Sequence, residues 1–167
     1  WDGTGSPGRI DSRSGEELSA PSGKQIPIFS RIAIMADIYD AATSRRCYSE
    51  AKPPVQVLHE MRHQCRGFFD PVVEAAFYRV VPAFPIGQIV TLSDGTEAVV
   101  VDFNPEHPVR PKVQCLRAPS GERFDDPALE EIDLALYHEL EIARVDGRDV
   151  RPYLSSQEHG EAVPTLA

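Results

Sequence analysis

The hydrophobic period of this chain changes once, between Val81 and Pro85, and that change divides it into a helical part and a β part. Upstream, apolar residues recur every three or four positions, the spacing of one helical face. Downstream, short β-rich runs are separated by turn residues. Three helices are expected upstream. The first covers 26–43, with Ile28, Ile32, Met35, Tyr39 and Ala42 on one face. Its run Ile32-Ala33-Ile34-Met35-Ala36 is apolar all round, which predicts deep burial. The second covers 54–65, opened by Pro54 and striped by Val55, Leu58, Met61 and Cys65. The third covers 71–81, capped by Asp70, opened by Pro71 and stopped by Pro82.

In the β part, strands are expected over 88–92, 96–103, 112–117 and 140–145. Asp94-Gly95 between the first two is a hairpin signal, and the three prolines in 104–111 mark a loop. Residues 1–24 are rich in Gly, Ser and Pro and read as loop, and the polar end suggests a flexible tail over 147–167. The fold class is therefore α+β: a helical unit over 1–82, then a small β-barrel-like unit over 85–146.

The 167 residues suit one ordinary domain or two small ones, and a net charge of -9 argues against binding a nucleic-acid polymer, which needs a basic footprint. No apolar run approaches the roughly 20 residues of a membrane helix. Three cysteines, Cys47, Cys65 and Cys115, without a C-x-x-C pair suggest reduced thiols in a cytoplasmic protein rather than a disulfide framework or a cysteine zinc site. The chain opens on Trp1-Asp2-Gly3-Thr4-Gly5 without an initiator Met, which reads as the interior of a longer sequence.

Asp37 draws attention because it interrupts an apolar helix. A buried carboxylate needs a metal, a cation or several donors. It could be a metal ligand or one half of a structural ion pair with Arg31, and Asp40 could support the same site. Arg45 and Arg46 after the helix could complement its dipole or clamp a phosphate. His59-Glu60-Met61-Arg62-His63 matches H-E-x-x-H, in which two histidines hold zinc and the glutamate acts as base. Glu74 is a conceivable third ligand. The apolar stripe of that helix instead places His59 and His63 on a solvated flank. Gly3-Thr4-Gly5 could cradle an anion.

Taken in order, these blocks resemble the HD-GYP family, whose pattern runs through Asp-Gly-x-Gly-Tyr-Pro, Ile-Pro, Ala-Arg-Ile, Ala-Asp-x-Tyr-Asp-Ala, Thr-Ser-x-Arg-Pro-Tyr and Phe-Asp-Pro. Here they read Asp2-Gly3-Thr4-Gly5-Ser6-Pro7, Ile26-Pro27, Ser30-Arg31-Ile32, Ala36-Asp37-Ile38-Tyr39-Asp40-Ala41, Thr43-Ser44-Arg45-Arg46-Cys47-Tyr48 and Phe69-Asp70-Pro71. The segment from Phe84 through Pro111 also looks like the small β domain that follows the catalytic domain in some members. The resemblance implies a helical HD-type partial domain, a centre of divalent iron or manganese, and hydrolysis of cyclic-di-GMP by metal-activated water in bacterial signal transduction. It assigns Asp37 to the metal and Arg46, with Asp40, to the substrate. Ser6, Cys47 and Ser49 depart from the pattern, and the His-Asp pair and remaining His ligands are expected before Trp1. The chain alone is therefore expected to be non-catalytic, with Asp37 partly exposed on an uncovered apolar face or paired with Arg31 or Arg46. One alternative is a degenerate module that binds nucleotide or other signalling proteins. Another, from a different class, is a zinc peptidase built on His59, Glu60 and His63.

Overall fold

A computed structural model describes residues 9–10, 17–18, 23–45, 50–125 and 130–154. Two short strands, β1 (Arg9–Ile10) and β2 (Glu17–Leu18), pair antiparallel where loop was expected. Three helices follow: α1 (Ile28–Thr43), α2 (Pro54–Gln64) and α3 (Pro71–Val80). Helix α1 starts two residues later than its periodicity suggested. Pro27 occupies the N-cap with an extended ψ of 142°, and the residue before a proline is driven from the helical region. Pro54 and Pro71 open α2 and α3 as expected. Asp70 caps α3 by accepting from the Val72 and Val73 backbone N–H groups.

The β part is one antiparallel sheet in the order β6-β5-β4-β3-β7-β8. Its strands are β3 (Ile89–Leu92), β4 (Glu97–Asp102), β5 (Lys112–Arg117), β6 (Glu131–Asp133), β7 (Ile142–Val145) and β8 (Arg148–Asp149). Between β3 and β4, Gly95 adopts a φ of +96°, which favours glycine, and the Asp94 carboxylate accepts from the Thr96 N–H and hydroxyl. The sheet is open among the described residues, because β6 and β8 end it without pairing to each other. The expected barrel is thus reduced to an antiparallel sheet. Its termini are strands of three and two residues, too short to continue pairing round to closure.

Two apolar clusters hold the fold, and α2 belongs to both. Val55 and Leu58 join the sheet's inward residues, among them Leu92, Val100 and Ile142. Val57 and Met61 join Met35, Phe69 and Val73. Sequence periodicity had set Val55, Leu58 and Met61 on one stripe; the helix buries two adjacent faces instead. The helical and β parts therefore share a core across Pro82, with Ala83 and Phe84 fully buried at the junction.

Two expectations are corrected. Helix α1 is not deeply buried: Met35 is its one buried residue, while Phe29 is 81% exposed and Ile28, Ile32 and Ile34 are each nearly half exposed. The helix meets α2 and α3, and on its other side Phe29, Ala33, Ala36, Asp37 and Asp40 are exposed. The tail expected from 147 is ordered through Leu154. Strand β8 pairs with β7, and a 3-10 turn at Arg151–Tyr153 brings Tyr153 and Leu154 onto the core. The apolar Val150 and Leu154 drive this, a spacing too short to register as periodic. No described helix is long and apolar enough to cross a membrane.

Candidate functional site

Helix α1 sets the geometry. Residues a turn apart share a face, and its solvent side gathers Phe29, Ala33, Ala36, Asp37 and Asp40, all exposed. Ile32 and Ile34 flank it, also exposed. The carboxylates of Asp37 and Asp40 thus stand on an apolar, outward surface. Asp40 accepts a hydrogen bond from the Ser44 hydroxyl at 3.1 Å, and its carbonyl accepts from the Ser44 N–H. Arg31, the ion-pair partner considered for Asp37, lies on the inner side. It donates to Asp70 Oδ2 at 2.5 Å and to the Ile26 carbonyl at 2.9 Å. Arg46, Cys47 and Ser49, together with Trp1 through Pro7, lie outside the described residues.

Asp70 is 7% exposed. Burial pushes its carboxyl up, and the Arg31 hydrogen bond, the two cap hydrogen bonds and the Arg31 charge outweigh burial, leaving it below the usual carboxylate value. The sequence marked Asp70 as a cap; that it also anchors α1 through Arg31 was not visible in it.

The H-E-x-x-H residues do sit on α2, but their contacts point away from zinc chemistry. Glu60 accepts from Lys52 Nζ at 2.6 Å and from Gln56 Nε2 at 2.8 Å. Burial raises its carboxyl, and these two partners bring it below its ordinary value. The His59 and His63 rings stand 4.4 Å apart, and His59 meets the edge of Tyr153 at 5.4 Å. Glu74 lies on α3 within the field of Arg62 and Arg66, with burial raising its carboxyl. Among the described residues no group of three or more His, Cys, Asp and Glu is placed to hold a metal ion.

A concave feature lies on the sheet side. Glu106, His107, Pro108, Val109, Arg110, Ala135 and His138 line an open cavity of about 350 Å³. No sequence signal marks it, because its lining residues come from loops far apart in the chain.

Residues 89–149, the whole sheet from β3 to β8, match the family described as a KOW domain associated with HD domain. The sheet is thus similar to a KOW domain of the kind associated with HD domains. The chain is also 32% identical over 91 residues to the cyclic di-GMP phosphodiesterase PA4108 of Pseudomonas aeruginosa, an overlap of 54% of this chain and 22% of that protein. The chain spans about a fifth of the length of this relative. No solved structure matches.

Proposed function

We propose that this chain is a portion of a bacterial HD-GYP signalling protein of the cyclic-di-GMP phosphodiesterase family, cytoplasmic and not catalytic in isolation. The observation that carries the reading is the outer face of α1. An apolar helix surface bearing Asp37 and Asp40 is what a helical HD-type domain leaves where further helices complete it. Similarity to a cyclic di-GMP phosphodiesterase supports the substrate.

In this reading Asp37 contributes one ligand to a divalent iron or manganese centre, and Arg46 and Asp40 face the cyclic dinucleotide. The described residues do not by themselves fit a metal. Asp37 and Asp40 are two carboxylates without a third donor beside them, and a stable transition-metal site needs more. The remaining ligands belong to sequence outside this chain. The departures at Ser6, Cys47 and Ser49 favour, as a second reading, a degenerate module that senses nucleotide or binds a signalling partner without turnover.

The test compares this chain with a longer polypeptide that includes the preceding sequence of the same gene, each given cyclic-di-GMP and manganese or iron. The proposal expects turnover in the longer protein alone, abolished by Asp37→Asn. Turnover by this chain overturns it. An inactive longer protein that still binds the dinucleotide selects the second reading.

A further inference from the structure

Beyond the α1 face, the sheet carries a surface of a different kind. The loop between β6 and β7 presents Leu136 at 74% and Tyr137 at 48% exposure, side by side. This loop is held at both ends. Arg110 Nη1 donates to the Leu134 carbonyl at 3.1 Å and to the Leu140 carbonyl at 3.2 Å. Leu134 itself is fully buried in the core. Inside the loop the Leu136 N–H bonds the Asp133 carbonyl, the Leu140 N–H bonds the Tyr137 carbonyl, and the Asp133 carboxylate accepts from the Ala135 N–H. Large apolar side chains on a surface are ordinary when scattered; here two are fixed together on a braced turn. Ordering costs for a partner that lands on them are already met by the fold.

Beside the loop lies the cavity of about 350 Å³. Pro108, the buried Val109 and Ala135 give it apolar lining, and His107 and His138 line it as well. The opposing wall is braced as well. Asn104 Oδ1 accepts from the Glu106 and His107 N–H groups, and the Arg110 N–H bonds the His107 carbonyl. An open recess next to an exposed Leu–Tyr pair offers a place for an apolar side chain of a partner to lodge.

Charge identifies the occupant. From Glu130 to Glu141 the chain has five carboxylates, at Glu130, Glu131, Asp133, Glu139 and Glu141, and no Lys or Arg. Lys112 is the cross-strand neighbour of Asp133, and Arg110 is turned onto backbone carbonyls. A stretch of that charge beside the cavity, with Glu106 in the cavity lining, repels nucleic acid and anionic lipid and attracts a cationic peptide. We propose that the β6–β7 loop and the adjacent cavity form a docking surface for a cationic segment of another protein. That segment would seat an aliphatic or aromatic side chain in the recess against Leu136 and Tyr137. This surface is separate from Asp37, and its test does not depend on phosphodiesterase activity.

The probe is a displayed library of random short peptides selected on the full chain. The expected outcome is enrichment of peptides that combine Lys or Arg with a large apolar residue. Their affinity, measured by titration calorimetry, falls about tenfold or more in the Leu136→Ala/Tyr137→Ala variant. Phe29→Ser on α1 leaves it unchanged, and added salt weakens it. Both substituted loop side chains are exposed, so the variant should keep the parent's circular dichroism. As a measurement on the unmodified chain, amide chemical shifts on peptide binding should move at 106–110 and 134–140. No enrichment, acidic peptides, equal binding to the loop variant, or shifts confined elsewhere overturn the proposal. So does self-association that the loop variant abolishes, which would make a second copy the occupant.

Discussion

Arg31 on α1 donates to the carboxylate of Asp70, 39 residues later, while the same carboxylate caps α3. One side chain thus ends a helix and ties it to another. Asp70→Ala removes both roles and leaves the Arg31 guanidinium without its carboxylate partner, though still bonded to the Ile26 carbonyl, so it should lower stability by about 2 kcal/mol. The pH dependence follows from the lowered carboxyl. The unfolded chain takes up the Asp70 proton before the folded chain does. The contribution is therefore complete above the ordinary value of 3.8 and is lost as pH falls below it, through the folded value. Urea denaturation at stepped pH should show an acid limb that Asp70→Ala flattens.

Leu58 is 1% exposed and lies in the cluster that joins α2 to the sheet. Leu58→Ala should cost about 3 kcal/mol, the common scale for a truncated core leucine. Because α2 also buries Val57 and Met61 among the helices, the loss should not stay local. Amide exchange should report helix α2 and strand β4 opening together, with equal free energies, in parent and variant alike. Helices that exchange well before the sheet would show that the shared core does not couple them.

Burial lowers the proton affinity of His59, the charges of His63 and Arg62 add to this, and Glu60 opposes them. The unfolded chain therefore protonates first. Stability carried by neutral His59 is complete above the ordinary 6.5 and declines as pH falls below it, toward the folded value. The segment that should feel this first is the turn carrying Tyr153, whose ring meets His59. His59→Gln should reduce the loss of stability across that interval, as read from melting temperatures at stepped pH.

Helices and strands were legible in the sequence because their signals are local: proline at the first turn, Asp70 as a cap, and Asp94-Gly95 between alternating runs. Strand β6 was not, since Glu131-Ile132-Asp133 carries a single apolar residue and owes its place to β5. The depth of α1 was misread for another reason. A helix apolar on all sides says that it can be covered, not which element of the same chain covers it. At the candidate site, Asp37 and Asp40 stood out as carboxylates on an apolar helix, and that reading needed no tertiary information. The Arg110 clamp and the cavity beside it did, because residues 104–110 and 134–140 meet only once the sheet has formed.

The exposed side of α1 leads to the last prediction. Water reaches Asp37 directly, so Asp37→Asn removes no buried hydrogen bond and should change stability by about 0.5 kcal/mol or less. A loss of several kcal/mol in denaturation would mean a buried, fully paired carboxylate instead. Association is the more sensitive readout. Phe29, Ile32, Ala33 and Ala36 make an apolar strip that favours contact with any similar surface, including a second copy. Asp37 and Asp40 oppose that contact, because apposed copies would bring like charges together under reduced solvent. The two substitutions should therefore move self-association in opposite directions. Phe29→Ser should shift sedimentation toward monomer, and Asp37→Asn should shift it toward oligomer. If the strip is indifferent to both changes, it is not the surface through which copies meet. If Asp37→Asn instead promotes monomer, the carboxylate is a contact in the assembly, and α1 pairs with a cationic group rather than with its own apolar face.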